Sequence, residues 1–290
     1  LKLKLFLIVL LSINLIKCNP CCQINSYKLP SYKLMKSNAR LNQLILSRTM
    51  VLNVRECMKF ATAKKALAFN YGSSCLSQKR TDSISYLFPT IDDLRHNKSI
   101  KKTQKRCEAL QCPEVHNLTM LARDKNYNYY STYPTSLALG SNYTLACIPR
   151  TGVFVFSNNN LNYSQAQAAC QKMNASLAHV ISEERTNGFA KYISQNTPTF
   201  VGLSNHDRKS LWKNEFGEPL SCFNYRAWGR GEPSHSKGCV TLVLQSKSEL
   251  SPFWKVVSCG STLPFICEIP PIYLHSSHKN YKLQAEIIIT

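Results

Sequence analysis

Sequence motifs of the common enzyme classes are absent from this chain. It contains no Gly-x-Ser-x-Gly, no His-Glu-x-x-His, no phosphate-binding loop and no dinucleotide-binding fingerprint. The pair Cys107-x4-Cys112 has no second pair at the spacing of a structural zinc site. A hydrolase needs an activated nucleophile or paired acids in a pocket, and the sequence indicates neither. We therefore predict a protein that is not an enzyme, with no catalytic residue, no cofactor and no bound metal.

Long apolar segments are missing after the first residues. Residues 5–16 are almost wholly apolar and follow two lysines, but this run is too short to cross a bilayer. The pattern is typical of a secretory signal peptide, which we predict at residues 1–18. Because the first residue is Leu1 and not Met, we expect the true start of the chain to lie upstream. No later segment has the length of a membrane span, so we predict a secreted, extracellular protein.

Acidic residues are scarce, since 16 Asp and Glu stand against 36 Lys and Arg for a formal net charge of +20. In an extracellular setting a basic surface attracts sulfated glycans and other polyanions, although a solvated loop is the favoured interpretation of a basic run. Nucleic acid is disfavoured as a partner, because no recognition helix, zinc-finger spacing or aromatic RNA-binding motif accompanies the charge. The densest basic run, our candidate for polyanion binding, comprises Lys98, Lys101, Lys102, Lys105 and Arg106.

Cysteine, by contrast, is abundant. Removal of Cys18 with the signal peptide would leave 12 of the 13 cysteines, an even number that suits disulfides in an oxidising compartment. Asn-x-Ser/Thr sequons also agree with passage through the secretory pathway. We predict glycosylation at Asn97, Asn117, Asn142, Asn162 and Asn174.

A chain of 290 residues accommodates about two domains. The predicted division is a basic, cysteine-rich domain at 19–125, a linker at 126–146, a second domain at 147–269 and a tail at 270–290. The linker is placed where Tyr, Asn, Ser, Thr and Gly dominate and apolar periodicity is lost.

The first domain contains one helix signal followed by a strand signal. Apolar residues at helical spacing predict a helix over Val54–Ala66, and alternation predicts a strand over Leu67–Tyr71 that ends at Gly72. The Glu-Cys helix, the Ala-Phe-Asn-Tyr strand and the following Cys75 together resemble the PAN or apple module, a small disulfide-held binding domain. The second helical cysteine of that family and its partner are both missing here. The resemblance then implies a bond between Cys57 and Cys75, and a bond from Cys21 or Cys22 to Cys107 or Cys112.

The second domain carries an ordered set of motifs. A strand is predicted over Val153–Phe156, a helix capped by Asn162 or Ser164, a strand over Ser176–Val180, and a second helix that begins at Ser182. These elements precede Phe200-Val201-Gly202-Leu203, Trp212, Trp228, Gly231-Glu232-Pro233-Ser234, Cys239, Trp254, Cys259 and Phe265-Ile266-Cys267-Glu268.

In this order the motifs resemble the C-type lectin fold over roughly residues 150–269. The resemblance implies an α+β fold with two helices, antiparallel strands around a central strand at Phe200–Leu203, and a long loop stapled by a disulfide. It also implies the bonds Cys170–Cys267 and Cys239–Cys259, and leaves the partners of Cys147 and Cys222 open.

Calcium ligands expected from this family are mostly replaced. Glu232 is kept before Pro233, which we expect to be cis, but a serine follows where the family has an amide. The acid before the loop cysteine and the Asn-Asp after Trp254 are replaced by lysine, glycine and valine. Since Ca²⁺ takes about six to eight oxygen ligands and lysines repel it, we predict no calcium site. Glu232 is expected to pair with Lys237 or Lys255.

Ligand binding is predicted on the same loop, while Trp212 and Trp254 are expected in the core. The favoured function is a secreted recognition or adhesion protein that binds a protein or a matrix glycan without calcium. The alternatives are a calcium-dependent immune lectin and a binder of sulfated glycans through the basic N-terminal half. Candidate ligand-binding residues are Trp228, Arg230, Glu232, Pro233, Ser234, Lys237 and Lys255.

Overall fold

The computed structural model describes residues 30–73, 104–137, 139–205, 211–245 and 251–273. The predicted signal peptide, most of the predicted tail, and Cys75, Asn97, Lys98, Lys101 and Lys102 lie outside these ranges. Among the described helices, none is long and apolar enough to cross a membrane.

The N-terminal module is an antiparallel sheet of five strands with one helix against it. The spatial order of the strands is β1-β5-β3-β4-β2. Helix α1 contributes Cys57 and Ala61 to a core that also contains Phe69 and Ala109. The elements are β1 (Lys33–Arg40), β2 (Ile45–Val51), α1 (Val54–Ala63), β3 (Ala68–Ser73), β4 (Lys105–Leu110) and β5 (Ala122–Ser131).

Helix α1 confirms the helix prediction and ends three residues earlier than expected. Asn53 caps it by accepting a hydrogen bond from the backbone N–H of Glu56 at 3.0 Å. The chain leaves the helix at Lys65, whose φ of 54° lies in the left-handed region. The N–H of Ala66 donates to the Ala61 carbonyl at 2.9 Å and closes the end of the helix.

A buried carboxylate ties this sheet together. Glu108 on β4 is fully buried and accepts hydrogen bonds from Arg40 at 2.6 and 2.8 Å and from Asn70 at 3.0 Å. Burial acts to raise the pKa of Glu108, but the hydrogen bonds from Arg40 and Asn70 outweigh it and lower the pKa below 4.5. The Asn70 side chain also bonds both backbone groups of Leu41, so the carboxylate connects three strands and the loop after β1.

The second module is built on a sheet whose main path runs β12-β11-β9-β13-β7-β6, with β10 beside β9 and β8 beside β13. Every pair is antiparallel except β13 with β9. A 3₁₀ turn covers Leu220–Cys222. The elements are β6 (Tyr143–Ile148), β7 (Gly152–Leu161), α2 (Tyr163–Lys172), β8 (Ser176–Leu177), α3 (Glu183–Phe189), β9 (Thr199–Asn205), β10 (Lys213–Asn214), β11 (Gly238–Val243), β12 (Phe253–Val257) and β13 (Leu263–Ile269).

Several sequence predictions are confirmed in this module. Asn162 caps α2 with a reciprocal capping box to Gln165, and Ser182 caps α3. Strand β9 lies between β11 and β13, as expected of a central strand. The strand predicted over Ser176–Val180 is shorter, because the N–H of His179 donates to the side chain of Glu268 instead of a neighbouring strand.

The predicted linker at 126–146 is wrong as secondary structure, since it contains the end of β5 and most of β6. Tyr127, Tyr129 and Ser131 alternate inward along β5, and the Tyr129 hydroxyl accepts a hydrogen bond from the Glu114 N–H at 2.7 Å. Tyr133 follows directly and packs in the core of the second module. The tyrosines that suggested a polar linker are therefore core residues.

Two disulfide predictions are confirmed and two are wrong. Cys170 bonds Cys267 and Cys239 bonds Cys259, as the resemblance implied. Cys57 bonds Cys107 and not Cys75, because β4 packs beneath α1 and brings the two Cα atoms to 5.5 Å. Neither Cys107 nor Cys112 is left for Cys21 or Cys22, since Cys112 bonds Cys147. Cys222 is disulfide-bonded as well.

The Cys112–Cys147 bond joins the two modules, and backbone hydrogen bonds reinforce the joint. The N–H of Arg150 donates to the Gln111 carbonyl at 3.0 Å, and the N–H of Ile272 donates to the Thr132 carbonyl at 2.6 Å. The modules are thus connected both covalently and through backbone hydrogen bonds.

A largely buried cluster of charged groups surrounds Glu268 on β13. Arg185 on α3 donates to the Glu268 carboxylate at 2.6 Å, to the His179 carbonyl at 3.1 Å and to the Thr151 carbonyl at 3.2 Å. Burial acts to raise the pKa of Glu268. The charge of Arg185, and the interaction of the Glu268 carboxylate with His179, outweigh burial and lower this pKa below 4.5. Burial lowers the pKa of the His179 imidazole below 6.5 and outweighs the opposite effect of Glu268.

The disulfide pattern can be checked by mapping peptides from a non-reduced digest. We expect one linked peptide pair containing Cys57 and Cys107 and another containing Cys112 and Cys147. A Cys57–Cys75 peptide in place of the first would contradict the packing of β4 under α1.

The burial of His179 predicts a loss of stability in mild acid. In the unfolded chain this histidine binds a proton near pH 6.5, whereas the folded protein resists protonation, so the unfolded state takes up more protons as the pH falls. The free energy of unfolding should therefore decrease from about pH 6.5 downward, by up to about 1.4 kcal/mol per pH unit. Urea unfolding at several pH values measures this.

Two matched variants test the role of this histidine. In His179→Gln the free energy of unfolding should fall less steeply between pH 6.5 and the lower pKa of the folded state. In His235→Gln, on the exposed loop, it should fall as steeply as in the unmodified protein. An unchanged slope in His179→Gln would show that another group causes the acid sensitivity.

Candidate functional site

The long loop before β11 is organised around the Glu232 carboxylate. The Glu232–Pro233 peptide bond is cis, as predicted. One carboxylate oxygen of Glu232 accepts hydrogen bonds from the N–H of Ser234 at 2.8 Å and from the N–H of Val256 at 3.1 Å. The Ser234 hydroxyl donates to the same carboxylate at 3.0 Å. The carboxylate therefore fastens the loop to strand β12.

Glu232 carries a negative charge that these donors stabilise. Its partial burial acts to raise the pKa, but the N–H groups of Ser234 and Val256 and the charge of Lys255 lower the pKa below 4.5. The expected ion pair with Lys237 or Lys255 is wrong, because no described residue forms an ion pair with Glu232 within 4.0 Å. Two backbone N–H groups take the place that a lysine ammonium was expected to fill.

Three tryptophans support the loop from below. Trp254 on β12 is fully buried, as predicted, whereas Trp212 is only half-buried. The ring of Trp228 lies edge-on to Trp254 at 5.2 Å and to Trp212 at 5.3 Å between centroids. The backbone N–H of Trp254 donates to the Ala227 carbonyl at 2.6 Å. Trp228 is therefore packed between two rings and offers only part of its surface to a ligand.

Two polar residues that the sequence did not single out also hold the loop. The Arg226 guanidinium donates to the carbonyls of Leu220, Phe223 and Tyr225, each at 2.6 Å. The side-chain amide of Asn205 donates to the carbonyl of Ser236. Both contacts are between a side chain and the backbone of an irregular segment, and no residue pattern in the sequence signals them.

The donor set of this loop does not fit calcium. Glu232 is the only acidic residue between Arg226 and Gln245, and its carboxylate already accepts the three hydrogen bonds described above. Lys255 lies close enough to influence the pKa of Glu232, and its positive charge opposes a cation there. A calcium ion needs several converging oxygen atoms, and this loop presents one carboxylate and cationic side chains.

The predicted ligand-binding residues lie on the long loop before β11 and on strand β12. Glu232 and Trp228 are half-buried, and the remaining candidates are exposed: Arg230, Pro233, Ser234, Lys237 and Lys255. Of the basic candidates, Lys255 on β12 lies close enough to Glu232 to lower its pKa.

The predicted polyanion-binding residues and glycosylation sequons do not belong to this loop. Lys105 and Arg106 lie on β4 of the N-terminal module, where Arg106 contacts the Tyr127 hydroxyl at 3.4 Å, and the rest of the basic run is outside the described residues. Among the described sequons Asn162 caps α2 through its side-chain oxygen, whereas Asn117, Asn142 and Asn174 are exposed.

Comparison with known proteins agrees with this geometry. Residues 159–269 match the family model of the Lectin C-type domain, and this part of the chain is a C-type lectin domain. The PAN or apple resemblance of the N-terminal module stays a prediction. Proteins with a C-type lectin domain recognise glycans or other proteins, and they are typically not enzymes.

Curated relatives match through the same region. CD209 antigen-like protein D of Mus musculus is 27% identical over 117 residues, which cover 40% of this chain and 46% of that protein. C-type mannose receptor 2 of Rattus norvegicus is 32% identical over 36% of this chain and 6% of its own length. Lithostathine-1 of Mus musculus is 28% identical over 40% of this chain and 70% of its own. This chain thus spans less than half the length of the first two relatives. A solved structure of human lithostathine, 22% identical, aligns with 45% of this chain and 98% of that chain at a TM-score of 0.37.

The loop geometry predicts that Glu232 protects specific amides. In Glu232→Ala we expect hydrogen exchange at the N–H groups of Ser234 and Val256 to become about tenfold faster or more, because each loses its acceptor. Exchange measured by mass spectrometry or NMR tests this, with Glu183→Ala on the exposed start of α3 as the control. Unchanged exchange at both amides would mean that other contacts hold the loop.

Proposed function

We propose that this protein is a secreted extracellular recognition or adhesion protein whose C-type lectin domain binds a protein or a matrix glycan without calcium. The observation that supports this most directly is the Glu232 carboxylate, which is hydrogen-bonded to Ser234 and Val256 and lies near the charge of Lys255. A loop already ordered by Ser234 and Val256 needs no metal to hold its shape.

The exposed chemistry of the loop favours an acidic ligand. Arg230 presents a guanidinium whose planar fork matches carboxylate and sulfate groups, and Lys237 and Lys255 add point charges. All three are exposed, so they can reach a partner without rearrangement of the core. We assign ligand contact to these residues and a positioning role to Glu232, Pro233 and Ser234, with Trp228 supporting the loop.

Secretion is supported by the bonding of the cysteines and by the surface position of the sequons. Four disulfides connect described cysteines, which is typical of proteins from an oxidising compartment. The exposed Asn117, Asn142 and Asn174 are accessible to glycosylation. No catalytic role is proposed for any residue.

A calcium-dependent lectin is the competing function, and the retained cis Glu232–Pro233 bond favours it. Calcium would have to displace the N–H donors from Glu232 and accept lysines as neighbours. The two functions differ in whether the folded protein gains stability from calcium.

We expect calcium to leave the melting temperature of the purified protein unchanged to within about 1 °C. A ligand present at a hundred times its Kd stabilises a folded protein by about 2.7 kcal/mol, which would raise the melting temperature by roughly 5–10 °C in a protein of this size. Differential scanning calorimetry in millimolar calcium and then in chelator measures the difference.

A variant with Ser234→Asn, Lys237→Glu, Lys255→Asn and Val256→Asp supplies the oxygen ligands that the family pattern has at these places, and it serves as the positive control. Ser236→Ala is included in it, because Asn at 234 would otherwise create an Asn-x-Ser sequon. A rise in melting temperature with calcium in the unmodified protein that disappears in Glu232→Gln would refute calcium independence.

A further inference from the structure

A second cationic surface lies where the two modules meet, far along the chain from the loop residues. It is a cleft of about 380 Å³, and we refer to it as the junction cleft. Strand β2, the end of helix α1 and the turn between β6 and β7 contribute to it. Its lining residues are Leu46, Ser47, Ala63, Lys64, Lys65 and Arg150.

Backbone geometry fixes the positions from which the three basic side chains project. Lys64 and Lys65 occupy the turn that ends α1, where the N–H of Lys64 donates to the Phe60 carbonyl at 3.1 Å. Lys65 and Arg150 have φ values of 54° and 63°, so each lies at a sharp reversal of the chain.

Arg150 is brought to β2 by contacts between the modules. Its N–H donates to the Gln111 carbonyl, and the Gln111 N–H donates to the Leu44 carbonyl at 2.9 Å, just before β2. The disulfide Cys112–Cys147 holds the same two segments covalently. The convergence of the cations therefore depends on the docking of one module on the other.

The charges in the junction cleft are poorly compensated. Lys64 and Lys65 form no ion pair within 4.0 Å with any residue that the structure describes. Arg150 has an exposed partner, Glu184, at 3.7 Å, and such pairs contribute little. The carbonyl end of α1 offsets part of the lysine charge, and the Lys64 ammonium lies 6.0 Å from the centre of the Phe60 ring, but neither contact supplies a negative group. The Ser47 hydroxyl, which has no described hydrogen-bond partner, adds a neutral donor.

We propose that the junction cleft binds sulfate ester groups of a sulfated glycan. Three cations and a hydroxyl donor surround an open space, and a sulfate ester offers the oxygen acceptors that match them. The side chains of Leu46 and Ala63 provide an aliphatic surface for a sugar ring. A glycan is favoured as the carrier of the ester because the disulfides and sequons point to an extracellular setting. This site goes beyond the proposed function of the loop and does not depend on it.

The test uses full-length secreted protein and immobilised heparin oligosaccharides, with their desulfated counterparts as the reference. The junction variant combines Lys64→Gln, Lys65→Asn and Arg150→Asn, because asparagine tolerates the positive φ at the last two positions. We expect affinity for the sulfated probe to fall about tenfold or more, and the dependence of affinity on salt to become shallower. The melting temperature of the variant is measured first to establish that it is folded.

A charge-matched control variant shows whether a loss of affinity comes from the junction cleft or from the lower net charge. Lys33→Gln, Lys36→Gln and Arg123→Gln also remove three exposed cations, from β1 and β5, and should leave affinity within about threefold. Equal losses in both variants, or no loss in the junction variant, would overturn the proposal.

Two further binding experiments identify the molecule that carries the anion and the surface that binds it. Binding to vesicles containing phosphoinositides, lost in the junction variant and without binding to heparin, would overturn the assignment to a glycan. Loss of heparin binding in Lys237→Gln with Lys255→Gln, but not in the junction variant, would place the sulfate site on the loop. That outcome refutes the junction site and leaves the calcium-independent function standing.

Discussion

The ion pair between Glu268 and Arg185 is the interaction on which the C-type lectin domain depends. Glu268 lies on β13, the strand that pairs with β7, β8 and β9. Its largely buried carboxylate accepts hydrogen bonds from Arg185 on α3 and from the His179 N–H in the segment after β8. Removing one partner of such a pair leaves a buried charge without compensation, which is far more costly than the pair is favourable. Arg185 then extends the constraint to the turn after β6 by bonding the Thr151 carbonyl.

Hydrogen bonds to the backbone position both cationic surfaces, the loop before β11 and the junction cleft. On the loop, the Glu232 carboxylate accepts hydrogen bonds from backbone N–H groups and forms no ion pair with a described residue, and Lys237 and Lys255 are exposed. At the junction, Arg150 lies two residues after β6, the strand that Cys147 joins to the N-terminal module, and precedes Thr151, whose carbonyl accepts a hydrogen bond from Arg185. On the loop the single acid is occupied by internal hydrogen bonds, whereas at the junction the exposed Glu184 pairs only with Arg150 among the three cations. Exposed cations therefore outnumber the nearby acids in both places.

Local patterns predicted the elements well where short-range chemistry determines them. Helix α1 and the Asn162 and Ser182 caps were predicted from the sequence, because periodicity and capping act within a few residues. The central strand β9 was implied by the family resemblance. The linker prediction failed because alternating tyrosines resemble a polar loop until a neighbouring strand buries them. The Cys57 pairing failed because a disulfide depends on the distance between two Cα atoms, and spacing along the chain does not give that distance.

By itself, the sequence determined the lectin-like order of motifs and the replacement of most calcium ligands, since these are properties of residue identity at ordered positions. The bonds Cys170–Cys267 and Cys239–Cys259 were implied by the family resemblance, and the structure confirms them. Only the tertiary structure decided that Glu232 bonds Ser234 and Val256 instead of a lysine, and that Lys64, Lys65 and Arg150 meet at one cleft. The physical reason is that hydrogen bonds and electrostatic forces act over a few ångströms in space. Residues about 85 positions apart come within that range only when the modules dock.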